Sequence, residues 1–215
     1  MSDPRLTLPN LITFGRILVT PLVAWFVLSP GTTLRLAGFV LFLAAALSDI
    51  WDGYLARKHG WITDMGKLLD PLADKLLLAV TMIPIYLISH RPGDENAVPF
   101  WGPLPLWVVL VILGRELFIT LFRGYASRRG VVIAAGKSGK HKALVQNLFV
   151  GGLLLWYPLL QWAHGAGVAG TAAWGVWAFF HRTWIGVTLA LALVLTIYSM
   201  LDYLWRYRSL AGFRS

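Results

Sequence analysis

Four aspartates set in an apolar chain carry the chemistry that the sequence offers: Asp49, Asp52, Asp70 and Asp74. They stand in the frame Asp49-Ile-Trp-Asp52-Gly53-Tyr-Leu-Ala56-Arg57, followed after eight residues by Gly66-Lys-Leu-Leu-Asp70-Pro-Leu-Ala-Asp74. Helical positions three or four apart share a face, so Asp49 and Asp52 converge at one helix end and Asp70 and Asp74 near the start of the next. Apolar runs, 39–47 and 76–86, flank the two pairs. Ionisable groups at membrane depth are costly and mark function, and four carboxylates this close repel one another unless cations bind between them. All four are hard oxygen donors with no Cys or His interleaved, which favours Mg²⁺ or Mn²⁺ over zinc. Two such ions bridged by shared carboxylates can clamp a diphosphate and stabilise charge on the attacking and leaving oxygens. Gly53 and Ala56 share the acids' face and leave room for a ligand against the backbone, while Arg57 adds a planar fork that matches phosphate.

The competing explanation pairs these acids with Arg57, Lys67, Lys75 and Arg115 as internal salt bridges. That accounts for one or two of them. It does not explain why five of ten acids (the four plus Asp64) fall between residues 49 and 74.

The elements that position the frame are membrane helices. Of the 215 residues, 57% are hydrophobic and 13% charged, with mean hydropathy +0.65. A soluble domain is about 25% charged. Six runs approach the roughly 20 residues needed to span a bilayer: 11–29, 34–55, 69–89, 104–125, 143–162 and 184–204. The first lacks a small-x-small cleavage site and reads as a transmembrane helix rather than a signal peptide. An interfacial segment, 1–10, precedes it in a chain that otherwise forms one all-α domain, 1–215. Pro30-Gly31, Arg91-Pro92-Gly93-Asp94 and the Gly-, Ala- and Trp-rich stretch 165–182 read as outer connections.

The formal charge is +9, and its placement sets the topology. Arg5, Arg57, Lys58, Lys67, Arg128, Arg129, Lys137, Lys140, Lys142, Arg206, Arg208 and Arg214 fall on one side; Arg35, Arg91 and Arg182 fall on the other. The positive-inside rule then puts both termini and the aspartate frame on the cytoplasmic side of the cell membrane. With no soluble domain to present the basic residues, anionic lipid head groups and phosphorylated substrates fit them better than nucleic acid. There is no cysteine, so disulfides and thiolate metal sites are excluded. Gly165 to Gly170 spells G-x-G-x-x-G and Gly136-Lys137-Ser138 resembles a P-loop end, but neither has the strand–loop–helix context such motifs need.

The aspartate frame resembles the signature of the CDP-alcohol phosphotransferase family at every fixed position, and the resemblance extends over the six-helix pattern. It implies an integral membrane enzyme, a homodimer, that displaces CMP from a CDP-linked donor with an alcohol acceptor and uses divalent metal. Carried over position by position, it makes Asp49, Asp52 and Asp70 metal ligands and Asp74 a further ligand and the general base. Gly53, Ala56, Arg57 and Gly66 would hold the nucleotide diphosphate. Three further stretches are similar to the branch that joins CDP-diacylglycerol to glycerol 3-phosphate. They are Pro9-Asn10-Leu-Ile-Thr13-Phe-Gly-Arg16, the segment from Gly114-Arg115-Glu116 to Arg123, and Gly139-Lys140-His-Lys142-Ala143-Leu-Val-Gln146, where Ala143 replaces the usual threonine.

Glu116 pairs with part of the positive charge on this stretch, and the surplus suits the acceptor phosphate: Arg115, Arg123, Lys137, Lys140 and Lys142. The same lysines also satisfy the topology rule, and Asp202 and the five histidines show no pattern. Two rivals stay open: the same chemistry with inositol phosphate, serine or phosphatidylglycerol as acceptor, and a divalent-cation transporter. Transport calls for acids spread along a path across the bilayer, whereas these lie at one edge.

Overall fold

The computed structural model describes residues 7–61, 63–129 and 137–207, with the side chains of Arg57, Asp64, Lys67, Leu68 and 137–140 outside that description. Six long helices follow one another: α1 (Leu8–Leu28), α2 (Thr32–His59), α3 (Asp64–Ser89), α4 (Leu106–Arg128), α5 (Lys137–Gly165) and α6 (Ala172–Arg206). A 3₁₀ turn at Asp94–Asn96 and a single antiparallel bridge, Val98 to Gly102, shape the connection before α4. Five stretches are long and apolar enough to cross a membrane: Leu8–Leu28, Thr32–Ala56, Leu69–Ser89, His141–Gly165 and Ala172–Arg206. The remaining helix, α4, carries Arg115, Glu116 and Arg123 within its 23 residues.

Helix α1 organises the bundle. Its buried positions, Pro9, Asn10, Thr13, Arg16, Thr20, Val23 and Val27, recur every three or four residues and form one stripe. The stripe is polar in its first half and apolar in its second. It packs against both α2 and α3, which touch each other little. The connection between those two is tight. Gly60 closes α2 in the left-handed region (φ 67°), and the Trp61 N–H reaches back to the Ala56 carbonyl at 2.9 Å. Thr63 then caps α3 by accepting from the Gly66 N–H at 3.0 Å. Further along, α5 packs on α2 and α6, and a continuous apolar core runs from Val23 and Phe42 through Met82 and Ile112 to Phe149 and Leu189.

One expectation is corrected. The stretch 165–182 is not a connection throughout: α6 begins at Ala172, capped by the Thr171 hydroxyl accepting from Trp174 N–H. At 35 residues the helix is about 52 Å long at 1.5 Å per residue, well beyond the bilayer's apolar core of roughly 30 Å. Aromatic packing holds the extra turns. Trp177 stacks on Trp156 of α5 at 6.0 Å and on His181 at 4.7 Å, and His181 Nε2 hydrogen-bonds the Gly152 carbonyl at 2.8 Å. The part of the expected interfacial segment that is described, from Leu8 onward, belongs to α1; residues 1–6 lie outside the described residues.

The α1–α2 contact makes a stability prediction. A Cβ on Gly38 would meet Val27 Cγ2 at 3.0 Å, Val27 N at 3.1 Å and Phe26 Cβ at 3.2 Å, whereas one on Gly175 would meet nothing within 4 Å. Gly38→Val should cost about 1–3 kcal/mol through overpacking and lower the melting temperature of the detergent-solubilised protein. Gly175→Ala should leave it unchanged or raise it. Equal melting temperatures for Gly38→Val and wild type would refute the close approach.

Candidate active site

The α2–α3 turn brings the two aspartate pairs together, and α1 fills the space between them. Arg16 is the centre of the arrangement. Its Nη1 lies 2.5 Å from Asp49 Oδ1 and 3.0 Å from Asp74 Oδ1, while Nη2 pairs with Asp52 Oδ2. One turn earlier, Thr13 Oγ lies 3.2 Å from Asp52 Oδ2 and 3.0 Å from Asp70 Oδ1. Asn10 exchanges hydrogen bonds with the Thr63 cap at 2.9 and 3.1 Å, fixing α1 to the first turn of α3. Gly66 is part of this contact: a Cβ there would meet Asn10 Oδ1 at 2.9 Å. All four acids thus converge. Their internal cationic partner among the described residues is Arg16, not the Lys75 or Arg115 that the salt-bridge explanation invokes.

In the sequence, Asn10, Thr13 and Arg16 stand in a motif with no role of their own. The signal was there: polar residues three apart on an otherwise apolar helix occupy one face.

Asp49, Asp70 and Asp74 open into a cavity of about 650 Å³ that runs between α2, α3, α4, α5 and α6. Asp52 lies behind them, its side chain 3% exposed. Arg115, Arg123 and Lys142 line the same cavity, so three of the five residues expected to hold an acceptor phosphate share a chamber with the acids. Glu116 ties two of them down: Arg115 Nη1 donates to its Oε1 at 2.9 Å, and the Lys142 ammonium pairs with the same oxygen. Lys137 and Lys140 lie on the first turn of α5, but their side chains fall outside the described residues, as does that of Arg57 on α2. Gly53, Ala56 and Gly66 do not line this cavity.

The cavity also contains residues that the sequence did not mark. Lys75, Asp202, Tyr203, Arg206 and Tyr207 form part of its wall, with Arg206 Nε donating to Asp202 Oδ1 at 2.7 Å. Away from the aspartate frame the wall carries five basic side chains (Lys75, Arg115, Arg123, Lys142, Arg206) against two acidic ones (Glu116, Asp202). Ala46, Ile50, Leu77, Leu78, Ile119 and Leu144 supply apolar surface between the charged groups. A chamber with an acidic corner, a basic remainder and apolar walls suits an amphiphile with an anionic head.

The family model for CDP-alcohol phosphatidyltransferases matches residues 6–198. The chain belongs to this family. Among CDP-alcohol phosphatidyltransferase relatives, the CDP-diacylglycerol–glycerol-3-phosphate 3-phosphatidyltransferase of Bacillus subtilis is 34% identical over 197 residues, covering 82% of this chain and 95% of its own. The Escherichia coli protein of the same name is 30% identical over 202 residues, covering 93% and 94%. A probable phosphatidylglycerophosphate synthase of Mycobacterium tuberculosis is 31% identical over 211 residues, covering 96% and 85%. The chain is therefore a membrane-helical enzyme of the CDP-alcohol phosphatidyltransferase type, a family generally dependent on divalent metal.

The donor chemistry fits such an ion. Four carboxylates face one guanidinium, a formal excess of three negative charges, and every donor is a hard oxygen. Among the described residues no trio of acidic or imidazole side chains forms a ready-made ligand set; Arg16 bonds to three of the four acids.

The part-buried Lys142–Glu116 pair gives a test of its own. Removing one partner of such a pair strands the other charge. Glu116→Gln should destabilise the protein by about 3 kcal/mol, seen as a lower thermal midpoint, and Glu116→Gln with Lys142→Met should recover part of the loss, Arg115 still lacking its carboxylate partner. A double variant less stable than the single one would refute the pairing.

Proposed function

We propose that this chain transfers the phosphatidyl group of CDP-diacylglycerol to glycerol 3-phosphate, giving phosphatidylglycerophosphate and CMP in phospholipid synthesis. The observation that carries the reading is the single cavity in which the aspartate frame meets an excess of basic side chains. A phosphate-free acceptor has no use for that excess, while glycerol 3-phosphate brings a dianion to match it. The names of the relatives from Bacillus subtilis and Escherichia coli support the same reaction.

In this reading Asp49, Asp52, Asp70 and Asp74 hold two ions of Mg²⁺ or Mn²⁺. When bound, such ions polarise the diphosphate and neutralise charge on the departing CMP. Gly53, Ala56, Arg57 and Gly66 keep the nucleotide diphosphate close to the ends of α2 and α3. Arg115, Arg123, Lys137, Lys140 and Lys142 orient the acceptor phosphate, which leaves its primary hydroxyl directed at the acids. Asp74 takes the hydroxyl proton, and the oxygen attacks the phosphorus that bears diacylglycerol. The phosphorus–oxygen bond to CMP breaks, and CMP leaves as the anion. The side chain of Asp74 is 56% exposed, so the carboxylate is within reach of a substrate in the cavity. We further propose that α4 spans the membrane with the other five helices, that both termini and the active site face the cytoplasm in the inner membrane, and that the chain works as a homodimer.

The test is an acceptor screen on purified protein with CDP-diacylglycerol, following CMP release. Glycerol 3-phosphate should be the preferred acceptor. EDTA should abolish turnover and Mg²⁺ or Mn²⁺ restore it. Asn in place of Asp49, Asp52, Asp70 or Asp74 should lower the rate by about 10²-fold or more, the usual cost of losing a group that moves a proton or stabilises charge. Preference for serine, inositol phosphate or phosphatidylglycerol would overturn the acceptor assignment, and full activity in any two of the Asn variants would overturn the site.

A further inference from the structure

Helix α1 engages one oxygen of every acid in the frame. Arg16 bonds to Asp49 Oδ1 and Asp74 Oδ1 at 2.5 and 3.0 Å and pairs with Asp52 Oδ2. The Thr13 hydroxyl has one proton and three acceptors within reach, Asp70 Oδ1 at 3.0 Å, the Pro9 carbonyl at 3.1 Å and Asp52 Oδ2 at 3.2 Å. The second oxygen of each carboxylate, Asp49 Oδ2, Asp52 Oδ1, Asp70 Oδ2 and Asp74 Oδ2, receives none of these bonds.

Burial shows from which side the grip comes. The Arg16 side chain is 1% exposed, whereas those of Asp49 and Asp74 are 39% and 56% exposed. Neither Arg16 nor Thr13 lines the cavity, but Asp49, Asp70 and Asp74 do. The guanidinium therefore stands behind the carboxylates, on the side away from the substrate chamber.

A cation in that position has two conceivable effects on a metal ion. As a like charge it opposes binding, and as a fixed set of donors it holds the ligand oxygens in one orientation. The geometry favours the second. A guanidinium that stood in for the metal would itself line the cavity. This one occupies the buried side, and its planar fork can fix two carboxylates of α2 and one of α3 at once, which a point-like ammonium cannot do. Partners that orient ligating carboxylates are worth about 10- to 100-fold in metal affinity.

We propose that Arg16 and Thr13 are positioning residues: from α1 they hold the four aspartates so that Asp49, Asp70 and Asp74 can gather a divalent cation from the cavity side, with Asp52 buried behind them. The inference rests on the metal-site reading above and adds a residue layer to it.

The experiment measures Mn²⁺ binding to purified full-length protein by the loss of the free Mn²⁺ electron paramagnetic resonance signal, with thermal midpoints recorded in parallel. Wild type should bind. Arg16→Gln should bind about 10- to 100-fold more weakly, Arg16→Lys should recover part of the loss, and Thr13→Val, nearly isosteric, should bind several-fold more weakly at an unchanged midpoint. Unchanged or tighter Mn²⁺ binding by Arg16→Gln would overturn the proposal, the tighter result identifying the guanidinium as a competitor. A lowered midpoint with unchanged affinity would reduce Arg16 to a structural residue and overturn it equally. If Arg16→Gln does not fold, Thr13→Val decides, and unchanged affinity there is contrary. No binding by wild type would overturn the metal reading itself, and the proposal with it.

Discussion

A guanidinium buried between three helices of an apolar bundle is the constraint on which the rest of this structure depends. Removing an arginine or an aspartate from water costs several kcal/mol unless partners replace the lost hydration. Arg16 and the four acids solve that problem jointly. The acids need a cation, and the cation needs acids on more than one helix. Because α2 and α3 touch each other little beyond their tight turn, Arg16 and Thr13 bridge them from α1, and Asn10 fixes α1 to the start of α3. The polar half of α1 is thus placed where the acids are, and its apolar half, through Val23 and Val27, joins the common core. The excess negative charge left after this pairing is available to a divalent ion.

The second half of the chamber follows the same logic with the signs reversed. Glu116 stands between Arg115 and Lys142, so α4 and α5 are joined by one carboxylate with two cationic partners. Asp202 offsets Arg206 on α6. Positive charge remains in excess on that wall, next to an acidic corner with negative charge in excess. Substrates that carry phosphate at one end and receive metal at the other complete both. Apolar residues between the two regions match a lipid-linked donor.

Much of this was legible in the sequence because the relevant signals are local. The Asp49–Asp52 and Asp70–Asp74 spacings are helical repeats, and the structure places them on adjacent ends of α2 and α3 as expected. Five of the six hydrophobic runs correspond to helices that meet the length and hydropathy of a membrane span, and Arg115, Arg123 and Lys142 do share a cavity with the acids. What was missed is non-local or concerns packing. Arg16 lies 33, 36 and 58 residues from Asp49, Asp52 and Asp74, and no spacing rule connects residues so far apart. Asp202 and Arg206 became part of the chamber through the packing of α6 beside α4 and α5, and Lys75 joins it as the neighbour of Asp74 on α3. The early start of α6 was hidden by composition. Gly and Ala next to Trp read as a loop, yet Trp156, Trp177 and His181 stack across α5 and α6 and hold that stretch helical.

The central claim is that Arg16 and Thr13 hold the four carboxylates from the buried side, leaving the cavity side of the cluster to a cation. Anomalous diffraction from crystals of the protein grown with Mn²⁺ tests it most directly. The account predicts anomalous density bounded by Asp49, Asp52, Asp70 and Asp74, with the Arg16 guanidinium still bonded to Asp49, Asp52 and Asp74 behind it. Density elsewhere in the cavity, or an Arg16 side chain displaced from the carboxylates when the ion is bound, would contradict it.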